Sequence, residues 1–408
     1  MADHHQPPIV ETASRNTGSP GEIFTAFLRL GLTSFGGPVA HFGYFHREFV
    51  LRRKWISEAA YADLLALCQF LPGPASSQAG FLLGCMRGGL AGGLLAWLAF
   101  TGPSAVLMIL LALGLQSLPL GNHAGWLTGL KVAAVAVVAQ AIIAMAIKLC
   151  PDFLRALLAL LAAGALLLAT PVWLQPLIIG LGGLAGLLFL RSKASSIPEE
   201  TPAAPGLLSS RRFAVALLVV FAALLGASFW LPGGNLWVKT FGIFYRTGAL
   251  VFGGGHVVLP LLQAGAVDTG LVSHDRFLAG YGAAQALPGP LFAFSAFLGS
   301  SIHSPAPVLL GLWCLAAIYL PALLLAAGVL PFWSQLSASR SARAALLGAN
   351  AVVVGLLAAV FLNAIGQNHL FTLPTGLLGL AAFAILQGTK FPNWLVVIAC
   401  ALAGQIFL

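Results

Sequence analysis

The residues of this 408-residue chain whose types and spacing point to chemistry are uncharged hydrogen-bonding side chains set beside breaks of glycine and proline. There are four such breaks: Gly36-Gly37-Pro38, Pro72-Gly73-Pro74, Gly253-Gly254-Gly255 and Pro288-Gly289-Pro290. Proline removes an amide donor and glycine weakens a helix, so each break opens a backbone that its apolar flanks would otherwise keep helical. A helix restarting beyond a break presents free amides and the positive end of its dipole, which suits an anion. Gln69, Ser76, Ser77 and Gln78 surround the first Pro-Gly-Pro, and Gln285 and Ser295 the second, so donors able to read the oxygens of an oxyanion accompany the breaks. Arg29 and Arg246 precede the two glycine-rich breaks, and arginine is a bidentate partner for a tetrahedral anion. Snorkelling to a membrane interface is the other role open to these two arginines. His256 follows the triple glycine and is placed to relay protons near neutral pH. The expected chemistry is reversible holding of an anion, with no covalent step, no cofactor and no metal. The chain has neither a nucleotide-binding P-loop nor an H-E-x-x-H cluster, so an ATP-driven pump and a membrane metalloenzyme are both disfavoured, and no enzyme is expected.

The elements that must position these residues come in duplicate. Residues 24–37 laid over 241–254, an offset of 217, match Phe24, Phe27, Arg29, Gly31, Phe35, Gly36 and Gly37 with Phe241, Phe244, Arg246, Gly248, Phe252, Gly253 and Gly254. At an offset of 216, Gln69 and the Pro-Gly-Pro three residues beyond it fall on Gln285 and its own Pro-Gly-Pro. Glycine and proline often do no more than kink packed membrane helices. Two copies at matched positions, each with a glutamine three residues ahead, favour a site over simple kinks. His256 matches Val39, so its relay role is not duplicated. Apolar segments near 124, 153 and 172 recur near 343, 371 and 392, which carries the duplication across most of the chain. The expected division is a disordered tail over 1–21, a first membrane repeat over 22–190, a cytoplasmic linker over 191–212 and a second repeat over 237–408. Between linker and second repeat, the apolar run 213–230 has no partner in the first half. One extra crossing before the second repeat turns that repeat over in the membrane.

Composition names the solvent. Hydrophobic residues make up 59% of the chain, charged residues 8%, and the mean hydropathy is +0.95, against about 25% charged in an ordinary soluble domain. Runs such as 93–117, 124–147, 213–230 and 307–330 approach or exceed the roughly 20 residues that cross a bilayer as a helix. Lipid offers no partner to an open backbone, and the runs lack the alternation of a membrane barrel, so helices are expected throughout. The net charge of +9 does not read as nucleic-acid binding, because the 20 Lys and Arg sit in short connections where they act as orientation signals. Arg47 to Lys54, Arg87, Lys148 with Arg155, the linker, Arg340 with Arg343, and Lys390 are placed inside; Asp268 and Asp275 are placed outside. One arrangement satisfies them all: the break-bearing segments are re-entrant hairpins and the remaining nine apolar segments cross. The expected fold is therefore an all-α polytopic membrane protein of two inverted repeats with broken or re-entrant helices. Lys131 reads equally as a cavity charge or an interface anchor, Asn350 lies in the matched segment, and Asp63 reads as the cap of a half-helix. The five cysteines have no metal-ligand spacing and read as small buried residues. The tail lacks a signal-peptide pattern, and His4 and His5 are assigned no role.

Taken together, FGGP followed by a basic loop, RKWISEAAYADLLALCQFLPGPASSQ, VFGGGHVVLPLL and GYGAAQALPGP resemble the chromate ion transporter family in its long two-domain form. The resemblance runs from about Glu22 to Leu408. It implies a bacterial inner-membrane carrier that exports chromate on the membrane potential or the proton gradient and so confers chromate resistance. Sulfate or another oxyanion as cargo, or an anion channel of the same architecture, stays open beside it. The implied partners are the anion and membrane lipid, with a homodimer as a further expectation and no nucleic acid. Pairing is imperfect at Pro38 versus Gly255 and at Ser76-Ser77 versus Phe292-Ala293, so the second half's site is expected to be the drier one.

Overall fold

The structure, a computed structural model, describes residues 18–117, 125–168, 174–193, 206–230, 235–252, 257–367, 372–389 and 391–408. Among them every regular element is a helix. In the first repeat these are α1 (Pro20–Thr33), α2 (Gly37–Phe45) running into a π-helical turn (His46–Arg52), α3 (Glu58–Phe70), α4 (Ala75–Ser117), α5 (Gly125–Leu149), α6 (Phe153–Leu168) and α7 (Leu174–Phe189). The helix α8 (Arg211–Trp230) covers the unpaired run. In the second repeat they are α9 (Leu236–Leu250), α10 (Val258–Leu262) with a second π-helical turn (Gln263–Val267), α11 (His274–Ala286), α12 (Phe294–Ser301), α13 (Pro307–Val329), α14 (Trp333–Ala338), α15 (Arg340–Gln367), α16 (Leu373–Gly388) and α17 (Asn393–Phe407).

Local signals recur with the repeat. Ser57 caps α3 and Ser273 caps α11, each accepting a hydrogen bond from the amide three residues on. Both helices end in an extended residue ahead of proline, Leu71 and Leu287, because the proline ring excludes the helical conformation from its predecessor.

The helix α4 is two antiparallel helices. At Gly88 and Gly89 the backbone leaves the helical region, with Gly89 at φ +64. A Cβ on Gly84 would lie 2.5 Å from the carbonyl oxygen of Gly92, and one on Gly92 would lie 2.6 Å from that of Gly84. In a straight helix eight residues rise about 12 Å. The chain therefore doubles back, and 75–87 packs against 90–117 through glycines that no side chain could replace.

Glu22, at the start of α1, shows the consequence. It takes Arg53 (3.4 Å) and the indole Nε1–H of Trp55 (3.2 Å), which follow the π-turn, and Arg87 (3.3 Å) at the end of 75–87. The start of α1, the end of the α2 segment and the end of 75–87 thus share one level, so both break-bearing segments of the first repeat enter and leave on the same face. At the other end of 90–117, Gln116 donates to the carbonyl of Ser300 at the end of α12, the counterpart of 75–87 (2.7 Å). The hairpins of the two repeats close at opposite ends of one helix, and the repeats are inverted.

The repeats also exchange partners. The helix α5 lies between α16 and α17, while α15 lies between α6 and α7. Small residues allow the close approach: Gly125 against Gly404, Gly129 against Cys400, Gly186 against Ala344 and Gly348 against Gly182. The helix α8 flanks α9 and α13 and leaves most of its apolar surface exposed. Among the described residues five helices have the length and composition to cross a membrane, whereas α6, α7, α16 and α17 are 15 or 16 residues long. Their exposed leucines, such as Leu160, Leu168 and Leu380, leave an apolar outer surface.

Candidate functional site

The two Pro-Gly-Pro breaks meet across the repeats. The Gly73 amide donates to the carbonyl of Val251 (2.7 Å), and the Gly289 amide donates to that of Ser34 (2.8 Å). Val251 and Ser34 end α9 and α1 and stand 217 residues apart, so the two bonds are one bond repeated by the internal symmetry. Gly73 and Gly289 have φ of +113 and +93, where only glycine is comfortable. A Cβ at Gly73 would lie 2.7 Å from Cβ of Ala322, and one at Gly289 would lie 2.9 Å from Oγ of Ser104. Ala322 follows Pro321 inside α13, as Ser104 follows Pro103 inside α4. Each break is therefore seated on the proline-bearing turn of a helix in the other repeat.

Around this brace lies a group of buried polar atoms without partners among the described residues: Ser34 Oγ, His41 Nε2, Ser77 Oγ, Gln78 Oε1, Trp97 Nε1, Thr101 Oγ1, Gln285 Nε2 and Tyr319 OH. The Tyr319 hydroxyl faces those of Ser77 and Thr101 without meeting hydrogen-bond geometry with either. Its ring stands edge-on to Trp97, 5.5 Å between centroids. His41 shares a hydrogen bond between Nδ1 and the Ser76 hydroxyl (3.1 Å), its ring faces the backbone of Ser34, and it stands edge-on to Phe100 (5.2 Å). Gln78 donates from Nε2 to the carbonyl of Pro72 (2.8 Å), fixing the first break from below. Beyond that break the amides of Ser77 and Gln78 donate to the carbonyl of Pro74 (2.9 and 3.0 Å), while those of Ala75 and Ser76, at the first turn of α4, have no carbonyl to meet within the helix. A buried polar group left unsatisfied costs about 1 to 3 kcal/mol, so eight together would cost as much as the roughly 5 to 15 kcal/mol that holds a domain folded. Such a cluster persists where water or a polar ligand satisfies it.

The cluster belongs mainly to the first repeat. Ser76, Ser77 and Gln78 have Phe292, Ala293 and Phe294 as counterparts, and His41 has Val258. Phe292, Ala293, Phe294 and Val258 are all buried among apolar residues. The second repeat closes the site instead with Tyr319, whose counterpart is Thr101. The polar side chains of the first repeat thus stand opposite apolar counterparts in the second.

The sequence-predicted residues distribute as follows. Gly36 and Gly37 take φ of +100 and +75 and let the chain turn between α1 and α2; the side chain of Pro38, and all of Gly253, Gly254, Gly255 and His256, lie outside the described residues. Pro72, Gly73, Pro74, Pro288, Gly289 and Pro290 form the braced breaks. Ser76 and Ser77 are buried in the cluster. Gln285 contributes its unpartnered Nε2, but Gln69, its counterpart, is exposed at the end of α3. Ser295 is buried with its hydroxyl on the Phe292 carbonyl (2.7 Å). Arg29 is exposed on α1, and its side chain makes no hydrogen bond or ion pair among the described residues. Arg246 donates to the carbonyl of Ser228 near the end of α8 (2.7 Å) and lies over the Phe229 ring, which ties the unpaired helix to the second repeat. Lys131, 4% exposed in its side chain, forms an ion pair with Asp275 at the start of α11 (2.8 Å). Among the described residues no three His, Cys, Asp or Glu side chains gather as a metal site requires, and the five cysteines are free thiols.

Sequence reasoning missed Ser34, His41, Trp97, Thr101 and Tyr319. Only Thr101 and Tyr319 carry a signal, since each stands two residues before a matched proline in a matched helix. An apolar groove of about 370 Å³ between α5, α15 and α16, lined by Val132, Phe361 and Phe383 among others, has almost no polar surface and offers nothing to an anion. On the face that carries Glu22, Glu48 is bound by Arg52 (2.9 Å) and Arg53 (2.6 Å). Burial would raise its carboxyl, but the two arginines prevail and hold it below the usual carboxylate range.

Comparison with known proteins agrees with the geometry. The family model described as chromate transporter matches the chain twice, over residues 21–187 and 238–405. A probable chromate transport protein of Synechococcus elongatus is 31% identical over 390 residues, covering 93% of this chain and 94% of that protein. The chromate transport proteins of Pseudomonas aeruginosa and Cupriavidus metallidurans are 30% and 27% identical, covering 94% and 98% of this chain and 92% and 97% of theirs. No solved structure matches. A duplicated helical unit, matched twice by one family and along nearly its whole length by relatives of the same kind, leaves one assignment: the chain belongs to the chromate transporter family and is a multi-pass membrane transporter.

Proposed function

We propose that the protein is a secondary carrier that exports chromate across a bacterial inner membrane, driven by the membrane potential or the proton gradient, and so gives chromate resistance. The observation that carries this reading is the gathering of unpartnered donors on the two cross-braced breaks, with no carboxylate among them. A tetrahedral dianion needs donors from several directions. Here they come from the side chains of Ser77, Thr101, Trp97, Gln285 and Tyr319, from the glycine amides if the brace opens, and from the amides of Ala75 and Ser76 at the start of α4. Moving two negative charges outward down a potential of 100 mV releases about 4.6 kcal/mol, twice the 2.3 kcal/mol per charge. The face with Arg52, Arg53 and Arg87 is assigned to the cytoplasm by its basic charge, and Asp268 and Asp275 to the outside. Arg29, exposed on α1, would draw the anion toward the site, while Arg246 is held by the Ser228 carbonyl and the Phe229 ring.

Sulfate has the same charge and shape and would meet the same donors, and a channel could share this architecture. Radiolabelled chromate and sulfate flux in proteoliposomes, with pH gradient and potential set independently, separates these readings. Saturable chromate uptake with counterflow is expected. Faster sulfate flux would reassign the cargo, linear flux without counterflow would make the protein a channel, and absence of any oxyanion flux would end the proposal.

A further inference from the structure

The helices form two bundles, and the two ends of the molecule join them differently. One bundle is α5, α6, α7, α15, α16 and α17; the other is built on α1, α4, α8, α9, α12 and α13. At the acidic face, which carries Asp268 and Asp275, the second repeat's hairpin bridges them: α11 packs on α5 and α17, and α10 on α15. Lys131 of α5 there holds Asp275 of α11 (2.8 Å), and a Cβ on Gly282 would run into the carbonyl oxygen of Leu130. At the basic face, which carries Arg53 and Arg87, the matching hairpin bridges nothing. Among the described residues α2 and α3 pack on α4 and on the π-helical turn between them, and neither packs extensively on α5, α7 or α15. The apolar cores divide in the same way. Leu278 of α11 shares a buried cluster with Ala134, Ile178 and Val353, whereas the cluster around Leu64 and Leu67 of α3 holds no described residue of α5 to α7 or of α15 to α17.

The uncovered side of α3 is the side that its counterpart closes. By the repeat offset of 216, Ala59, Ala62, Ala66 and Gln69 correspond to Asp275, Leu278, Gly282 and Gln285. On α3 the first two and Gln69 are exposed and Ala66 is half-buried, while on α11 Leu278 is buried. Gln69 lies three residues from the braced break, where hydrocarbon would leave its amide without a partner, so water fills the space beside α3. We propose that the structure is the carrier state open to the basic face, that α3 closes on α15 in the other state as α11 now closes on α5, and that Lys131 and Asp275 form the latch holding the acidic face shut at rest. Inverted repeats make the second state available, because each repeat can take up the packing of the other. The latch is one-sided. The offset of 219 that sets Gly129 on Gly348 sets Lys131 on Asn350, whose Oδ1 is buried without a partner among the described residues, and Ala59 replaces Asp275. Closing the basic face therefore forms no such ion pair, and the resting carrier waits open to the side from which the proposed export starts.

This inference rests on the carrier reading, and the test separates the two. Single cysteines are introduced into protein freed of its five native ones and labelled in oriented vesicles with a membrane-impermeant maleimide. Ala62→Cys is expected to label from the basic face, and Leu278→Cys to label slowly from either. Lys131→Met together with Asp275→Asn removes the latch without stranding a charge. Because Asp275 is 44% exposed, the pair is set at about 1 kcal/mol, or about fivefold in the ratio of the two states. Labelling of Leu278→Cys from the acidic face should therefore rise about fivefold without the latch, while that of Ala62→Cys falls. Ala283→Cys, buried beside Leu130 and Ala133 of α5, repeats the measurement if Leu278→Cys folds poorly. Lys131→Met alone repeats it if the double variant reaches the membrane poorly. Labelling on α11 that does not change when the latch is lost overturns the latch, and Ala62→Cys unreactive from the basic face overturns the assigned state. Counterflow of radiolabelled chromate in the parent protein is measured alongside: linear flux without counterflow ends the carrier reading whatever the labelling shows, and normal counterflow with unchanged labelling ends the latch alone.

Discussion

At the scale of single residues, Thr101 and Tyr319 show why this site is hard to see in a sequence. Each is one polar residue inside a long apolar helix, and such residues usually bond to their own backbone, as Ser295 and Thr247 do. What distinguishes them is that neither hydroxyl has found such a bond, and that is a property of packing. Tyr319→Phe and Thr101→Val remove only the hydroxyl character. A lost hydrogen bond to a charged ligand costs about 1.5 to 3 kcal/mol, so chromate affinity in each should fall about tenfold to a hundredfold, read by competition binding on purified protein. Ser295→Ala, whose hydroxyl is already engaged, should bind normally. Unchanged affinity in the tyrosine and threonine variants would remove them from the site. The paired glutamines should now behave unequally: Gln285→Ala weakens binding, while Gln69→Ala, at an exposed position, changes it little. The arginines divide as well. Arg246→Gln releases α8 and should lower the amount of protein in the membrane, whereas Arg29→Gln should keep that amount and lower only the initial rate. Equal loss of abundance in both would contradict this division.

At the scale of elements, the breaks were legible because glycine and proline carry their meaning locally, whereas their cross-bracing was not, because it joins residues far apart in the chain. Gly73→Ala and Gly289→Ala place a Cβ against Ala322 and Ser104 at a backbone angle that L residues avoid, a cost of at least about 1 to 2 kcal/mol before any clash. Both should lower the thermal unfolding temperature in detergent, and Gly289→Ala should be the milder, since the Ser104 hydroxyl can turn aside more readily than the Ala322 methyl. The reverse order would contradict the seating described above. The arginine loop was read from the sequence as an orientation signal, but its partners, Glu22 and Glu48, show that it also clamps the ends of both hairpins. Glu48 is held below its ordinary value, so its contribution is present above the unfolded carboxylate range and is lost as pH falls through the lower folded value. Glu48→Gln should therefore remove part of the acid sensitivity of unfolding. The ion pair of Lys131 settles an ambiguity that composition left open. Asp275→Asn strands a buried ammonium. Losing one partner of a buried pair costs about 3 to 5 kcal/mol, and because Asp275 is 44% exposed the loss should fall toward the 1 kcal/mol of a surface pair. Adding Lys131→Met should recover most of it in the same unfolding assay, and failure to recover would mean the pair does not hold α11 to α5.

At the scale of the whole molecule, the duplication, the all-helical fold and the inversion could be read from spacing and loop charge alone, because lipid leaves few alternatives to a chain this apolar. The exchange of α5 and α15 between repeats could not be read that way, since glycine contacts such as Gly348 with Gly182 leave no periodic mark. Neither could the concentration of the polar site in one repeat, which depends on Tyr319 reaching across from the other. Cysteines introduced at positions 52 and 270 should react from opposite sides of intact cells, and labelling from the same side would contradict the orientation given to the hairpins. The central claim is narrower: one oxyanion site lies where the two Pro-Gly-Pro breaks brace each other. Chromium scatters X-rays anomalously, so a crystal of the protein grown with chromate locates the anion without reference to side-chain density. A single chromium peak between Gly73 and Gly289, within hydrogen-bonding reach of Ser77, Thr101 and Tyr319, is the expected result; a peak beside Arg29 or at the Lys131–Asp275 pair, with none between the breaks, would contradict it.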